Sequence, residues 1–491
     1  MGRKKLHPSA KCKQHNASLN KKIPHQTKRI SPSKRNEINV QCEKLFHLSS
    51  NPAYETQLWE NYVQISSILE KVKRLEEMKI ESSKRCEAIG NFVKWLRENG
   101  ANIDGVSIAE FPGYDFGLKA ERNFTEGHMI LDIPRKLIFC TQTAAPELSI
   151  LQNDPLVQHM PHVALAIALL IERHKENSQW KHYLDVLPNQ YSTVLYMSTN
   201  DMIELKGSPT LEAALKQCRN IARQYSYFNR FFQSNQNSVS ELLREVFTYE
   251  EYCWAVSTVM TRQNRIPNED GSKMIYGLIP MWDMCNHEEG KITTDFNRIS
   301  DKCECFAMRN FEAGEQIFIA YGARTNSDFF VHSGFVSIDN KQDGFKLRLG
   351  ISKADALQKE RVELLAKLAL PSNDEFLLKP GMEPISDDLL AFLRVFSMRK
   401  PELEHWLQSD KVLDLKHVDC ALETVIEENV RRFMLTRLKL LIANYPTTLE
   451  EDLEIMNSSL SHHKKLALQL RITEKQILHG ALDYVEQWIK A

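Results

Sequence analysis

Two stretches decide how this chain is read: Ile279-Pro-Met-Trp-Asp-Met-Cys-Asn-His287 and, downstream, Ala313-Gly-Glu-Gln-Ile-Phe-Ile-Ala-Tyr-Gly322. Each is weak alone. An Asn-His pair arises by chance in many chains, and a strand ending in Tyr-Gly is ordinary. Their order and spacing together carry the information. Both lie within 276–335, a region of strand-like segments.

Immediately upstream, residues 160–265 are strongly helical, with 180–187, 213–232 and 249–262 as candidate helices. The longest apolar run, 163–171, sits in this block and reads as a buried helix. It is far short of the ~20 residues a membrane span needs. Farther upstream, 103–139 returns to strands and turns, at 106–111, 116–120 and 129–133. A helical block between two strand-rich parts is awkward for a continuous β domain and makes sense as an insertion. The expected fold class is therefore α+β, with a split β-rich domain over 103–336 and a helical insertion at about 145–265.

Before that domain, Leu58, Tyr62, Ile65, Ile68, Leu69 and Val72 recur at helical spacing. A second helix follows, with Phe92, Trp95 and Leu96 on one face and Gly100 as its stop, so 51–102 is a helical extension. After a boundary near 337–350, residues 345–491 are expected to be all-α. Apolar residues there recur at three- and four-residue steps in 389–396, 418–442 and 466–489, with Pro371, Pro380, Pro384 and Pro401 as punctuation.

A length of 491 residues suggests two or three domains, and 42% hydrophobic with 26% charged residues reads as soluble and globular. The ten cysteines follow no regular framework, which fits reduced thiols in the cytosol or nucleus. Cys303-Glu-Cys305 is either two metal ligands or alternate residues of one strand face; no further cysteines nearby complete a zinc site, and no metal is expected. The first residues lack a signal-peptide core and Leu6 breaks the myristoylation pattern, so no membrane partner is expected. The net charge of −1 hides an asymmetry: residues 1–36 hold eleven Lys/Arg and no Asp/Glu, leaving 52 basic against 64 acidic residues beyond them. Residues 1–50 are expected to form a basic arm that cannot fold alone, either a solvated tail or a nuclear-import or nucleic-acid segment. Nucleic acid is expected nowhere else.

Further tokens surround the opening stretches: Arg85, Lys94-Trp95, Trp254-Ala-Val, Val259-Met-Thr-Arg-Gln-Asn264 and His332-Ser-Gly-Phe335. Together these resemble the SET-domain enzymes of the Rubisco large-subunit methyltransferase type, from roughly residue 60 to the C-terminus. The resemblance implies a split SET domain, a C-terminal helical substrate-binding domain, and S-adenosylmethionine as cofactor. It also implies that the two opening stretches thread past each other into a knot-like site. Lysine-directed relatives do not share the Arg-Gln-Asn end at 262–264 in this form. The resemblance therefore points to the branch that methylates the tele nitrogen of a histidine in actin, with actin as protein partner and the enzyme expected to be a monomer. One departure is Gly113-Tyr-Asp-Phe-Gly117, where Asp115 stands at the first glycine of the usual Gly-x-Gly. Another is that no Cys-x-Cys-x4-Cys follows Tyr321, so the zinc-binding tail of many histone methyltransferases is missing.

By the same resemblance, Tyr321 stands where the methyl group crosses and Asn264 holds one nitrogen of the acceptor ring. The implied cofactor residues are Arg85 and Arg262 for the carboxylate, then Tyr114, Asp115, Phe116, Asp283, Met284, Cys285, Asn286, His287, Ser333, Gly334 and Phe335. The implied peptide groove holds Trp282, Arg324, Arg223, Ile266 and Ile279. The residues by themselves leave plainer alternatives open. Tyr321 has a plainer reading as a buried strand tyrosine, outweighed by the flanking Gly322 and the upstream Asn-His; Asn264 has one as a helix C-cap before Ile266-Pro267, Phe335 and Trp282 as core, and the arginines as surface or ion-paired groups.

Imidazole and lysine pose different chemical problems. Lysine, with a pKa near ~10.4, must lose a proton before attack, whereas imidazole near ~6.5 is mostly neutral at pH 7. What imidazole needs is a fixed tautomer, which a carboxamide can supply. A protein-lysine methyltransferase acting on a histone or other protein remains an alternative, as does a catalytically silent actin- or peptide-binding scaffold. The intact Tyr321, Asn286 and His287 argue against the last.

Overall fold

Ser31 opens the first helix, its hydroxyl accepting from the Lys34 amide, with Pro32 at the first helical position. The computed structural model describes residues 30–51, 57–76, 85–418, 422 and 424–488. Within it α1 (Pro32–Ser50) buries Ile38, Cys42, Leu45 and Ser49 against α2 (Leu58–Glu76) and the Thr210–Ser234 helix. The expected arm to residue 50 is corrected accordingly. A narrow stripe at steps of four and three, flanked by Lys and Arg, is enough for a helix once partner helices cover it. Residues 1–29, with most of the basic charge, lie outside the described residues. The helix α3 (Arg85–Glu98) buries Phe92 and Leu96 and ends before Gly100, whose φ of 87° is the left-handed value a helix stop favours.

Twelve strands follow among the described residues. They are β1 (Val106–Phe111), β2 (Asp115–Ala120), β3 (Met129–Pro134), β4 (Phe139–Cys140), β5 (Gln263–Pro267) and β6 (Met274–Leu278), then β7 (Asn286–His287), β8 (Thr294–Asn297), β9 (Lys302–Phe306), β10 (Gln316–Ile319), β11 (Phe345–Gly350) and β12 (Asn373–Leu378). Three small sheets, ordered β1-β2-β10-β7, β3-β9-β8 and β4-β6-β5, make the split domain. In the first, β10 pairs antiparallel with β2 and parallel with β7, setting Phe318 opposite Asn286 and Ile319 opposite His287. The two deciding stretches of sequence thus lie side by side.

The helical insertion falls between β4 and β5. Its Pro161–His174 helix is buried along 163–172, as its unbroken apolar run requires. The Tyr249–Arg262 helix is capped by Thr248, which accepts from the Glu251 amide, and runs without a loop into β5. That junction places Arg262, Gln263 and Asn264 at the edge of the split domain. The helix expected at 180–187 contracts to Lys181–Leu184.

Two further expectations fail. Residues 326–333, read as strand-like, form the short Asn326–Asp328 helix, capped by Thr325, and a π-helical turn at Phe329–Ser333. The C-terminal region is mostly helical but not all-α, because β11 and β12 pair from Phe345↔Leu378 to Gly350↔Asn373. Phe345, Leu347, Leu349, Phe376 and Leu378 are buried with the two-residue period of a sheet face. The intervening Gln358–Lys367 helix obscured that period in the sequence. The remaining long helices, Asp387–Ser397, Thr424–Ala443 and His462–Gln487, cover most of the three amphipathic segments; the second helix begins at Thr424, with Val418 and Leu422 outside it, Trp488 caps the third, and residues 419–421, 423 and 489 lie outside the described ones. The last of them ties the molecule together: Leu466, Ala467 and Leu470 enter the first core, and Ile477, Leu478, Ala481 and Val485 enter the C-terminal one. Among the described residues no helix is long and apolar enough to cross a membrane.

Candidate active site

Tyr321 lies just beyond β10, next to β7, and its position follows from that pairing. Its backbone N–H donates to His287 Nδ1 at 3.2 Å, and its hydroxyl donates to the Cys285 carbonyl at 2.7 Å. Burial pushes the phenol far above its ordinary pKa, so it works as a neutral hydroxyl at any physiological pH. Because His287 Nδ1 accepts, Nε2 carries the ring proton. Burial lowers the pKa of this imidazole, which packs between Tyr321, Phe329 and Phe335 at centroid distances of 5.1, 4.8 and 5.8 Å. Gly334 is at φ 74°, and a Cβ there would come within 2.6 Å of the Ser192 carbonyl carbon; Ser192 also donates to its carbonyl. Glycine at 334 is therefore what allows Ser333 and Phe335 to return to the site.

On the other side of β10, the β1–β2 hairpin brings in 114–116. Asp115 has φ 61°, the left-handed conformation the missing glycine would have taken without strain. Its carboxylate forms an ion pair with Arg85, whose Nε donates to the Val186 carbonyl at 3.0 Å and whose guanidinium stacks 4.6 Å from the Phe116 centroid. Tyr114 is half exposed, edge-on to Phe318 at 5.5 Å. Asn286 Nδ2 donates to the Phe116 carbonyl at 3.1 Å and to Gln316 Oε1 at 2.7 Å. Its amide hydrogens thereby join β7 to β2 and β10.

A cavity of about 230 Å³ opens beside Tyr321. Asn264, Ile266, Ile279, Trp282 and Arg324 line it together with Tyr321, so most of the expected acceptor groove is brought together. Arg223 is not part of it: it is exposed on the Thr210–Ser234 helix, 3.5 Å from Asn220 Oδ1. Asn264 is the second residue of β5 and does not cap the helix; Gln263 does. The Asn264 Nδ2 donates to the Arg262 carbonyl at 3.1 Å.

Arg262 is buried and paired with Asp283: Nη1 lies 2.6 Å from the Asp283 carbonyl and 3.2 Å from its carboxylate. Burial opposes the guanidinium charge, but Asp283 outweighs it and raises the Arg262 pKa. The same burial pushes the Asp283 carboxyl up, while Arg262 and the Tyr183 hydroxyl, 2.6 Å away, pull it back. The two arginines expected to face a carboxylate thus each hold one from the protein already. Met284 and Cys285 are buried; Cys285 lines the cavity and its carbonyl accepts from Tyr321, whereas Met284 does not line it.

Sequence reasoning missed Gln316, which holds Asn286, and the cavity wall formed by Ile292, Thr294, Asp295, Phe296 and Cys303. Gln263, inside a quoted token, also lines the cavity without having been singled out. The wall comes from the β8–β9 ribbon folding back, a long-range contact with no local signal. Cys303 and Cys305 are alternate buried residues of β9, flanked by β3 and β8. Among the described residues no group of three or more His, Cys, Asp or Glu stands together as a metal site.

Residues 115–322 match the SET domain model, and residues 352–478 match the Rubisco LSMT substrate-binding model. The actin-histidine N-methyltransferase of Gallus gallus is 39% identical over 465 residues, 93% of this chain and 78% of the relative; that of Homo sapiens gives the same figures. The chain belongs to the actin-histidine N-methyltransferase family. It is a SET-domain methyltransferase. Among solved structures, the SET domain of LSMT bound to methyllysine and AdoHcy superposes with a TM-score of 0.68 at 22% identity, covering 82% of this chain and 91% of that one. Rubisco LSMT bound to AdoMet gives 0.67 at 23% identity, with 82% and 92% covered. These two likenesses speak for the fold. Within this family frame, Arg85 and Phe335 lie outside the matched SET stretch yet fold back onto it, through Asp115 and Tyr321.

Proposed function

We propose that the protein transfers a methyl group from S-adenosylmethionine to the tele nitrogen of a histidine in actin. The observation that carries this reading is the tethered carboxamide of Asn264. With Nδ2 donated to the Arg262 carbonyl, Oδ1 is the end left to receive an N–H inside the Tyr321 cavity. An imidazole whose one N–H donates there keeps the lone pair on its other nitrogen, so the tautomer is fixed before reaction. A lysine ammonium would need a base, and Tyr321, neutral through burial, is not one.

S-adenosylmethionine is the methyl donor of SET-domain methyltransferases, and the residues here fit it. Buried polar atoms without a hydrogen-bond partner gather at this place: Arg262 Nε, Gln263 Oε1, Asp283 Oδ1 and His287 Nε2. The rings of Tyr114, Phe116 and Phe335 offer apolar faces, and Arg85 offers a cation. When bound, this cofactor supplies an electrophilic methyl group on a sulfonium. Arg85, Tyr114, Asp115, Phe116, Arg262, the 283–287 segment and the 333–335 segment would hold it. Tyr321, its proton committed to Cys285, would have its oxygen lone pairs free to accept from polarised C–H groups of the cofactor. Trp282, Ile266 and Ile279 exclude water from the acceptor, and Arg324 marks the rim.

Relatives named for actin, 39% identical over most of the chain, support the acceptor protein. The test is methylation of purified actin and histones side by side, with the modified residue assigned by mass spectrometry. A single methylated actin histidine is expected. Methylation confined to lysine would overturn the reading.

A further inference from the structure

The acceptor cavity is held from behind by a residue that does not line it. Tyr183 is wholly buried, its ring fixed by Phe92 and Phe139 at centroid distances of 6.2 and 6.5 Å. Its hydroxyl donates at 2.6 Å to Asp283 Oδ2, the oxygen that also faces Arg262, while Asp283 Oδ1 is buried without a partner. A buried carboxylate stays ionised only where donors meet it, and here Tyr183 and Arg262 are the side chains that do among the described residues. Arg262 is bound to Asp283 twice, and its own carbonyl receives the Asn264 amide. Two residues past Asp283, the Cys285 carbonyl receives the Tyr321 hydroxyl; three past Tyr183, the Val186 carbonyl receives Arg85.

We propose that Tyr183 is a positioning residue for the methyl transfer, holding Asp283 so that Arg262 and, through its carbonyl, Asn264 keep the geometry that orients the acceptor. This rests on the reading of Asn264 given above. The groups facing Asp283 are Arg262, Tyr183, Tyr191, Cys285 and Tyr321; Arg262 is the only cation among them. Without the Tyr183 hydroxyl the carboxylate loses a donor and takes up a proton more easily. Arg262 then loses its counter-ion as the pH falls.

The test compares wild type, Tyr183→Phe, Asp283→Asn and the double variant, between about pH 6 and pH 9. Turnover is measured on a histidine peptide from actin, S-adenosylhomocysteine affinity by calorimetry, and thermal unfolding alongside. Tyr183→Phe should lower kcat on the order of tenfold at the acid end and recover most of it at the alkaline end, with peptide KM nearly unchanged. In the Asp283→Asn background the same change should cost about nothing, since the hydroxyl acts through that charge. A loss equal at every pH, or one additive with Asp283→Asn, would mean that Tyr183 is only a core residue and overturn the proposal. Wild type inactive on the histidine peptide would instead sink the acceptor reading. The pH-dependent ratio of S-adenosylhomocysteine affinities would then still decide for or against Tyr183.

Discussion

The Tyr321 hydroxyl donates to the Cys285 carbonyl at 2.7 Å, across the parallel pairing of β10 with β7. This bond fixes which way the phenol oxygen's lone pairs point. It also means that Tyr321 has no proton to exchange with an acceptor. The phenol is an oriented, neutral hydroxyl, and its place depends on the register Phe318↔Asn286 and Ile319↔His287.

Tyr321→Phe should therefore reduce kcat far more than cofactor affinity. A fall on the order of 10- to 100-fold in single-turnover rate is expected, with the Kd of S-adenosylmethionine changed by less than about threefold. Stopped-flow turnover with calorimetric titration measures both. An affinity loss as large as the rate loss would move Tyr321 from the transfer step to binding.

Asp115 makes a backbone prediction. At φ 61° a glycine relieves strain while any β-carbon retains it, and Asp115 also carries the ion pair to Arg85. Both Asp115→Gly and Asp115→Ala lose the pair, but only the alanine keeps the left-handed penalty. The alanine variant should be less stable than the glycine variant by about 1 kcal/mol, read from urea unfolding. Equal stabilities would show that the hairpin turn relaxes when the ion pair is gone.

Much of this arrangement was legible in the sequence. The 249–262 helix and the strands at 106–111 and 129–133 follow from local periodicity, while the convergence of Asn264, Trp282, Ile279 and Tyr321 on one cavity was implied by the family resemblance alone. What escaped depends on partners far away in sequence. The helix α1 needed α2 and the Thr210–Ser234 helix to give its thin stripe a surface, and β11 needed β12 across an intervening helix. The Ile292–Phe296 wall and the Arg262–Asp283 ion pair arise from chain crossings that no local pattern encodes. The pairing alters roles as well: Asn286, expected to face the cofactor, has its amide hydrogens committed to Phe116 and Gln316.

Glu474, on the last helix, gives a pH prediction. Buried, it accepts from Ser208 and Thr210 of the insertion at 2.8 and 2.9 Å and from Tyr445 at 2.7 Å, and burial raises its pKa from 4.5 to about 7. A carboxyl raised on folding holds its proton more tightly in the folded state. Its contribution is complete below about pH 4.5 and is lost as pH climbs towards about pH 7, by up to about 3 kcal/mol. Glu474→Gln has no such term, so relative to wild type its Tm should rise between about pH 5 and pH 8. Parallel Tm curves for the two proteins would show that Glu474 does not titrate in this window.

The last prediction concerns how the acceptor is read. The Asn264 amide is tethered to the Arg262 carbonyl, and its Oδ1 faces the task of receiving one imidazole N–H. Asn264→Ala should lose activity on the histidine peptide because neither the tautomer nor the ring orientation is then fixed. Asn264→Val or Asn264→Phe should do more than inactivate. With an apolar group beside Trp282, Ile266 and Ile279, the cavity becomes drier and narrower, which suits an alkyl amine better than a polar ring. A lost hydrogen bond to a neutral partner is worth ~0.5–1.5 kcal/mol and an unsatisfied buried group ~1–3, so relative kcat/KM should shift by roughly one to two decades towards the same peptide carrying lysine. Competition between the two peptides at fixed cofactor, for wild type and variant, measures that shift. Equal losses on both peptides would mean that Asn264 supports β5 or the cofactor side and does not read the ring.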